Sequence, residues 1–138
     1  MFIDASAIVA ILNREAGFEE MVRRIEDHKG KRYVSPLVKF EAVAAIARSR
    51  SGPRRPTPDQ FEAAGKVVEL FFQSIEAHPI TITPSVGDKA LEAAATYGKF
   101  TGHEADLNFG DCYSYACAKA FNSRLVYKGD DFAKTDLA

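Results

Sequence analysis

The sequence predicts one α/β domain built on a central, mainly parallel sheet of four or five strands, with helices on both faces of the sheet. The chain has 138 residues, 46% of them hydrophobic, which is enough for one core and too few for two ordinary domains. Short strand-like runs alternate with longer segments of helical period, and no tight hairpin turn joins them, which favours parallel pairing. We therefore expect residues 1–138 to form a single three-layer domain.

The first part of the chain is expected to begin with a buried strand, Met1–Asp4, that leads directly into an apolar helix, Ser6–Leu12. Gly17 interrupts this pattern. The residues that follow, up to Gly30, place apolar and charged side chains on opposite sides of a second helix. A second strand is predicted at Arg32–Ser35.

The third helix is predicted from Pro36 to about Arg50, because Ser35 suits the N-cap and proline suits the first helical position. The segment Ser49–Pro58 contains one glycine and three prolines and cannot continue a helix. It is expected to form an exposed basic loop.

The second half continues the alternation of helices and strands, followed by a last helix and strand. The predicted elements are a helix at Asp59–Ala77, a strand at Ile80–Thr83, a helix from Ser85 to about Phe100, a polar connection at Thr101–Asn108, a helix opened by Asp111 and running to Phe121, and a strand at Arg124–Tyr127.

The overall composition excludes several classes of protein. With 18 basic and 19 acidic residues the net charge is -1, so no global field attracts nucleic acid or anionic membrane. Cys112 and Cys117 lie on different sides of the predicted helix, which argues against a mutual disulfide, and their spacing is not that of a zinc site. No apolar run approaches the roughly 20 residues of a membrane span, so a soluble, cytoplasmic protein without a membrane partner is expected.

Four acidic residues occupy positions that predict a shared site. Asp4 ends the first strand, Glu41 lies about two turns into an apolar helix, Asp111 opens a helix, and Asp131 follows the last strand. In parallel sheets, ligands bind beyond the carboxyl ends of the strands, where these four positions are expected to meet.

Each of these positions also has a purely structural explanation. Asp4 and Asp111 suit helix caps, Glu41 suits an ion pair with a base such as Arg48, and Asp131 suits a solvated turn. The joint placement is what favours a site. Four carboxylates repel one another unless a cation or protons are taken up.

Oxygen ligands favour Mg²⁺ or Mn²⁺, and such ions activate water for hydrolysis of phosphodiester bonds. Ser6 is expected to support the site through its hydroxyl, although it also suits a cap. The arginines of the basic segment offer guanidinium groups to phosphates, or are simply solvated. These arginines are Arg48, Arg50, Arg54 and Arg55.

The chain resembles the PIN-domain family, and more closely its VapC-type toxins of bacterial toxin–antitoxin pairs. The resemblance covers nearly the whole chain and is carried by four short segments in a characteristic order. These segments are Met1–Ser6, Phe40–Ala42, Leu107–Cys112 and Lys128–Leu137.

The resemblance implies a PIN-like three-layer sandwich and a Mg²⁺- or Mn²⁺-dependent endoribonuclease that cuts RNA. It implies a metal site at Asp4, Glu41, Asp111 and Asp131, with Ser6 beside the first aspartate; Asp130 is a possible further ligand. It also implies a homodimer and a cognate VapB-type antitoxin that occupies the active-site groove.

Two other functions remain open from the residues. An aspartate after the first strand also occurs in haloacid-dehalogenase-like phosphatases, with Asp4 as nucleophile, but those enzymes carry a second aspartate where this chain has Ser6. A non-catalytic module that binds nucleic acid or a protein through the basic loop is the third interpretation.

Overall fold

The computed structural model describes residues 1–137, so that Ala138, the last residue of the expected domain, lies outside the described residues. It contains four short strands and six α-helices that alternate along the chain. The elements are β1 (Phe2–Ile3), α1 (Ala5–Leu12), α2 (Phe18–Glu26), β2 (Arg32–Val34), α3 (Pro36–Ser51), α4 (Pro58–Ser74), β3 (Ala77–Pro79), α5 (Pro84–Tyr97), α6 (Phe109–Ala120) and β4 (Leu125–Val126), with short 3-10 helices at Lys99–Thr101 and Asp131–Lys134.

The strands form one sheet in the order β3-β2-β1-β4, and every pairing within it is parallel. Phe2 of β1 lies opposite Tyr33 on one side and Leu125 on the other, so β1 is a central strand. Both residues of β1 are fully buried, as expected of a strand covered on both faces. The predicted mainly parallel sheet of four or five strands with surrounding helices is confirmed, with four strands, all parallel, in residues 1–137.

Side-chain caps fix where the helices begin, and several begin next to the end of a strand. Asp4 caps α1, and Ser35 caps α3 by accepting from the Val38 N–H at 3.1 Å, with Pro36 at the first helical position. The entry to α3 is therefore as predicted. Because β1 and β2 are parallel, these two caps lie at the same edge of the sheet.

The predicted strand Ile80–Thr83 is wrong: the strand is Ala77–Pro79. Helix α4 ends at Ser74, and Glu76 adopts a positive φ of 49° that turns the chain into the sheet earlier than the alternating pattern indicated. Proline is tolerated in β3 because it is an edge strand. The alternating residues instead lead into α5, which Thr83 caps.

Three helix boundaries also differ from expectation. Helix α3 continues to Ser51, beyond the point where the loop was expected to begin, and α5 ends at Tyr97. Helix α6 begins at Phe109 with Asn108 as its cap, so Asp111 lies in the first turn rather than opening the helix.

The core lies between the sheet and the helices packed on it. Helix α5 packs on α6, α3 packs on α4 and α1, and α6 also contacts β1. Cys112 and Cys117 are both buried and free. Within residues 1–137, no helix is long and apolar enough to cross a membrane.

Candidate active site

Asp4 is the most buried acidic side chain at the carboxyl edge of the sheet, with 4% of its surface exposed. It lies immediately after β1 and caps α1. Its Oδ2 accepts the Ser6 backbone N–H at 2.9 Å and the Ser6 hydroxyl at 2.5 Å, and its Oδ1 accepts the Ser114 hydroxyl at 2.6 Å. Both carboxylate oxygens are thus fixed by donors from two helices.

Ser6 connects Asp4 to the chain that leaves β4. Its hydroxyl donates to Asp4 and accepts the backbone N–H of Lys128 at 3.0 Å. Lys128 precedes the segment that carries Asp130 and Asp131, so this bridge ties that segment to the end of β1. The expected supporting position of Ser6 beside the first aspartate is therefore present.

Helix α6 carries Asp111 in its first turn, held by a reciprocal capping box. Asp111 Oδ2 accepts the Asn108 N–H at 2.9 Å, and Asn108 Oδ1 accepts the Asp111 N–H at 3.1 Å. Burial raises the pKa of Asp111 to about 6; the Asn108 hydrogen bond and Lys99 oppose this rise, and the charges of Asp4 and Asp131 add to it.

Glu41 lies in the second turn of α3 and is half-buried. Burial raises the pKa of Glu41 to about 7, and the negative charges of Asp4 and Asp111 add to the rise. It forms no ion pair within residues 1–137, so the predicted alternative of a partner such as Arg48 is not observed. The Glu41 carboxylate lies against Gly110, where an added Cβ would overlap it.

Asp131 begins the short 3-10 helix after β4 and is exposed. Its charge contributes to the raised pKa of Asp111. The structure therefore brings Asp4, Glu41 and Asp111 into mutual electrostatic contact, with Asp131 at the border of the cluster.

The donor set has the chemistry that a hard divalent cation requires. All four side chains offer carboxylate oxygens, and none of them forms an ion pair with a basic side chain in the described part of the chain. Beyond the effect of burial, the charges of Asp4 and Asp111 add to the raised pKa of Glu41, and those of Asp4 and Asp131 add to the raised pKa of Asp111. Within residues 1–137, no three acidic, histidine or cysteine side chains are placed closely enough to form a finished metal-ligand set.

Sequence reasoning missed two residues that shape this cluster, Gly110 and Ser114. Both lie on α6, and Ser114 is three residues after Asp111, a spacing that places side chains on neighbouring parts of one helix face. Gly110 gave no such signal, because the helix was predicted to open at Asp111, one residue later.

Comparisons with known proteins agree over the full length of the chain. A family model described as the PIN domain matches residues 1–137. A VapC ribonuclease of Rhizobium meliloti is 50% identical over 139 residues, covering 99% of this chain and 98% of that protein. Ribonuclease VapC30 of Mycobacterium tuberculosis is 34% identical over 139 residues, covering 100% of this chain and 96% of that protein.

A solved structure agrees with the fold. VapC20 of Mycobacterium tuberculosis, described as a Sarcin-Ricin loop cleaving toxin, superimposes with a TM-score of 0.69 at 18% identity. The superposition covers 96% of this chain and 92% of that chain. The strands and helices described above therefore have the same arrangement as those of that structure.

Proposed function

This chain belongs to the PIN-domain family and, within it, to the VapC ribonucleases, and from that premise we propose that it is a toxin that hydrolyses RNA phosphodiester bonds with a divalent cation. The observation that carries the proposal is the cluster of Asp4, Glu41 and Asp111, with Asp131 at its border. Burial and mutual repulsion raise the pKa of Glu41 to about 7 and that of Asp111 to about 6. Groups perturbed in this way mark functional sites.

Asp4, Glu41, Asp111 and Asp131 would hold Mg²⁺ or Mn²⁺, with Asp131 favoured over Asp130 because the charge of Asp131 contributes to the raised pKa of Asp111. A bound ion of this type lowers the pKa of water and neutralises charge on a phosphoryl group. The protein's own part is positional. The Ser6 hydroxyl donates a hydrogen bond to Asp4, and the backbone N–H of Asn108 donates one to Asp111. Two of the four carboxylates are therefore oriented before a cation binds.

An aspartate-nucleophile phosphatase fits this arrangement less well. Both oxygens of Asp4 accept short hydrogen bonds, which stabilise the carboxylate and lower its reactivity towards phosphorus. The residue two positions on is Ser6, whose hydroxyl and backbone N–H both donate to Asp4 Oδ2. If the four acids had only a structural role, nothing would offset the repulsion between their charges.

The arginines at the α3–α4 turn support RNA as the substrate. Arg48, Arg50, Arg54 and Arg55 are exposed and form no ion pair within residues 1–137. The turn is ordered by the Ser51 hydroxyl, which donates to the carbonyls of Arg48 and Arg54. Arg50 lies about 14 Å along α3 from Glu41, a reach of a few nucleotides, so the turn would contact phosphates remote from the cleaved bond.

Two protein partners belong to the same proposal, a cognate VapB-type antitoxin and a second copy of this chain. Phe40, 65% exposed and adjacent to Glu41, would be covered by an antitoxin that occupies the active-site groove. Leu91, Phe100 and Phe109 are more than half exposed and line an apolar groove between α5 and α6, a surface suited to a symmetric dimer.

The test is cleavage of RNA by purified protein after removal of metal. We expect no cleavage with EDTA, recovery with Mg²⁺ or Mn²⁺, and a loss of at least about 100-fold in rate for Asp111→Asn. Sequencing of RNA ends from cells that express each form identifies the substrate. Equal cleavage in EDTA, or full activity of a folded Asp111→Asn protein, would refute the proposal.

A further inference from the structure

Two residues on one side of α6, Gly110 and Ser114, lie against the carboxylates of the cluster. They are four positions apart in the helix and therefore project from the same side. We propose that Gly110 and Ser114 are positioning residues: Ser114 aims the carboxylate of Asp4, and the bare backbone of Gly110 makes room for the carboxylate of Glu41. This inference rests on the proposed function and concerns how the cluster is made ready for a cation.

The case for Ser114 is a buried hydrogen bond to the least exposed acid of the site. Ser114 has 1% of its surface exposed, and its hydroxyl donates to Asp4 Oδ1 at 2.6 Å. Asp4 Oδ2 already accepts two donors from Ser6. A carboxylate has about four lone-pair sites, so three are occupied and the remaining one is on Oδ1.

This count gives Asp4 one defined way to bind a cation, through a single oxygen. Without Ser114, only Oδ2 of the Asp4 carboxylate is held by hydrogen bonds. The direction in which the free lone pair of Oδ1 points is then no longer set. Outer-shell donors of this kind orient metal ligands, and their removal typically costs about 10–100-fold in metal affinity.

The backbone conformation of Gly110 does not require glycine, so the lack of a side chain at this position needs another explanation. It lies within the first turn of α6, is absent from the residues with positive φ, and costs about 1 kcal/mol relative to alanine at a helical position. A Cβ at this position would overlap the Glu41 carboxylate. The overlapping atoms are the far end of a flexible side chain, so alanine would displace the carboxylate rather than unfold the protein.

Gly65 provides a matched control in α4. It is also inside a helix, and a Cβ added there would meet no atom within 4 Å. Gly65→Ala, in the helix interior, gains at least as much helical propensity as Gly110→Ala in the first turn of α6, and only Gly110→Ala displaces a carboxylate.

Ser123 provides the control for Ser114. Its Oγ is buried and has no hydrogen-bond partner among the described residues, and it lies just before β4, whereas the cluster lies beyond the strand ends. Ser123→Ala removes a hydroxyl without removing a contact to an acid.

The experiment measures Mn²⁺ affinity by electron paramagnetic resonance of the free ion, and folding by thermal unfolding in EDTA. We expect Ser114→Ala to weaken Mn²⁺ binding about 10-fold, Ser114→Thr to restore most of it because the hydroxyl is kept, and Ser123→Ala to match wild type. Gly110→Ala is expected to weaken binding by a similar factor, with Gly65→Ala unchanged. If Ser114→Ala fails to fold, Ser114→Cys, a poor hydrogen-bond donor of similar size, tests whether Ser114 positions Asp4. Gly110→Ala tests independently whether Gly110 makes room for Glu41.

Wild-type affinity in both folded Ser114→Ala and Gly110→Ala would overturn the inference while leaving the proposed function standing. Absence of Mn²⁺ binding by the wild-type protein would overturn the proposed function, and this inference with it. Weakened binding by Gly65→Ala equal to that of Gly110→Ala would also count against a role specific to the site.

Discussion

Replacing Glu41 with glutamine is expected to stabilise the metal-free protein at pH 8. The pKa of Glu41 rises from 4.5 to about 7 because its charge is half-buried and faces Asp4 and Asp111. At 1.36 kcal/mol per pKa unit, this rise corresponds to about 3 kcal/mol, and solvent screening of a half-exposed carboxylate reduces it to about 1–2 kcal/mol. Glutamine has nearly the same shape and no charge, so the variant avoids this cost.

The pH dependence follows from the direction of the shift. A carboxyl group whose folded pKa lies above its unfolded value destabilises the fold when ionised, and this cost is complete above pH 7. As the pH falls from 7 towards 4.5, the folded protein takes up a proton first and the cost disappears. The advantage of Glu41→Gln should therefore be fully present at pH 8 and reduced to roughly a quarter to a half at pH 5.

The assay is thermal unfolding in EDTA at pH 8 and pH 5, followed by circular dichroism. A gain of about 1–2 kcal/mol corresponds to an increase in Tm of about 4–8 °C for a domain of this size. Glu92→Gln is the control, since Glu92 is exposed on α5 and has no ion pair in the described part of the chain. A lower Tm for Glu41→Gln at pH 8, or an equal gain at both pH values, would refute the repulsion argument.

Three further outcomes are expected. The double variant Arg54→Gln, Arg55→Gln should bind long RNA more weakly and bind a short oligonucleotide about as well as wild type. The slope of log K against log salt concentration should become shallower by about 1–2. Lys66→Gln is the control, because Lys66 is already paired with Glu62. Leu91→Glu should convert a dimer to a monomer in size-exclusion light scattering, whereas a dimer that persists in this variant would place the interface elsewhere. Saturating Mn²⁺ at about 100 times its Kd should stabilise the wild-type protein by about 2.7 kcal/mol, and no change in Tm would contradict a site on the folded state.

The sequence predicted the parts of this molecule that depend on local chemistry. Strand β1, the serine–proline entry to α3, and the positions of the acids after strand ends all follow from patterns of a few residues. Their meeting at one edge follows from parallel pairing, which the alternation of elements predicts. These local and topological rules were sufficient to assign Asp4, Glu41 and Asp111 to one region.

The parts that were wrong or missed depend on tertiary contacts. The position of β3 is set by where α4 ends and by the turn at Glu76, so the alternating pattern at Ile80–Thr83 misled the prediction. The cap of α6 is Asn108, which shares a capping box with Asp111, and the sequence alone did not distinguish the two. Ser114 meets Asp4 across 110 positions of the chain, a contact that no local pattern encodes.

The most direct test of the central claim is the anomalous diffraction of crystals soaked in Mn²⁺. We predict an anomalous peak between Asp4, Glu41 and Asp111, with Asp4 ligating through Oδ1 and the Ser114 hydrogen bond retained. We also predict loss of the peak in Asp111→Asn crystals of the same form. An ordered site with no peak in the wild-type protein, or a peak bound elsewhere in the molecule, would contradict the claim that these carboxylates form one metal site.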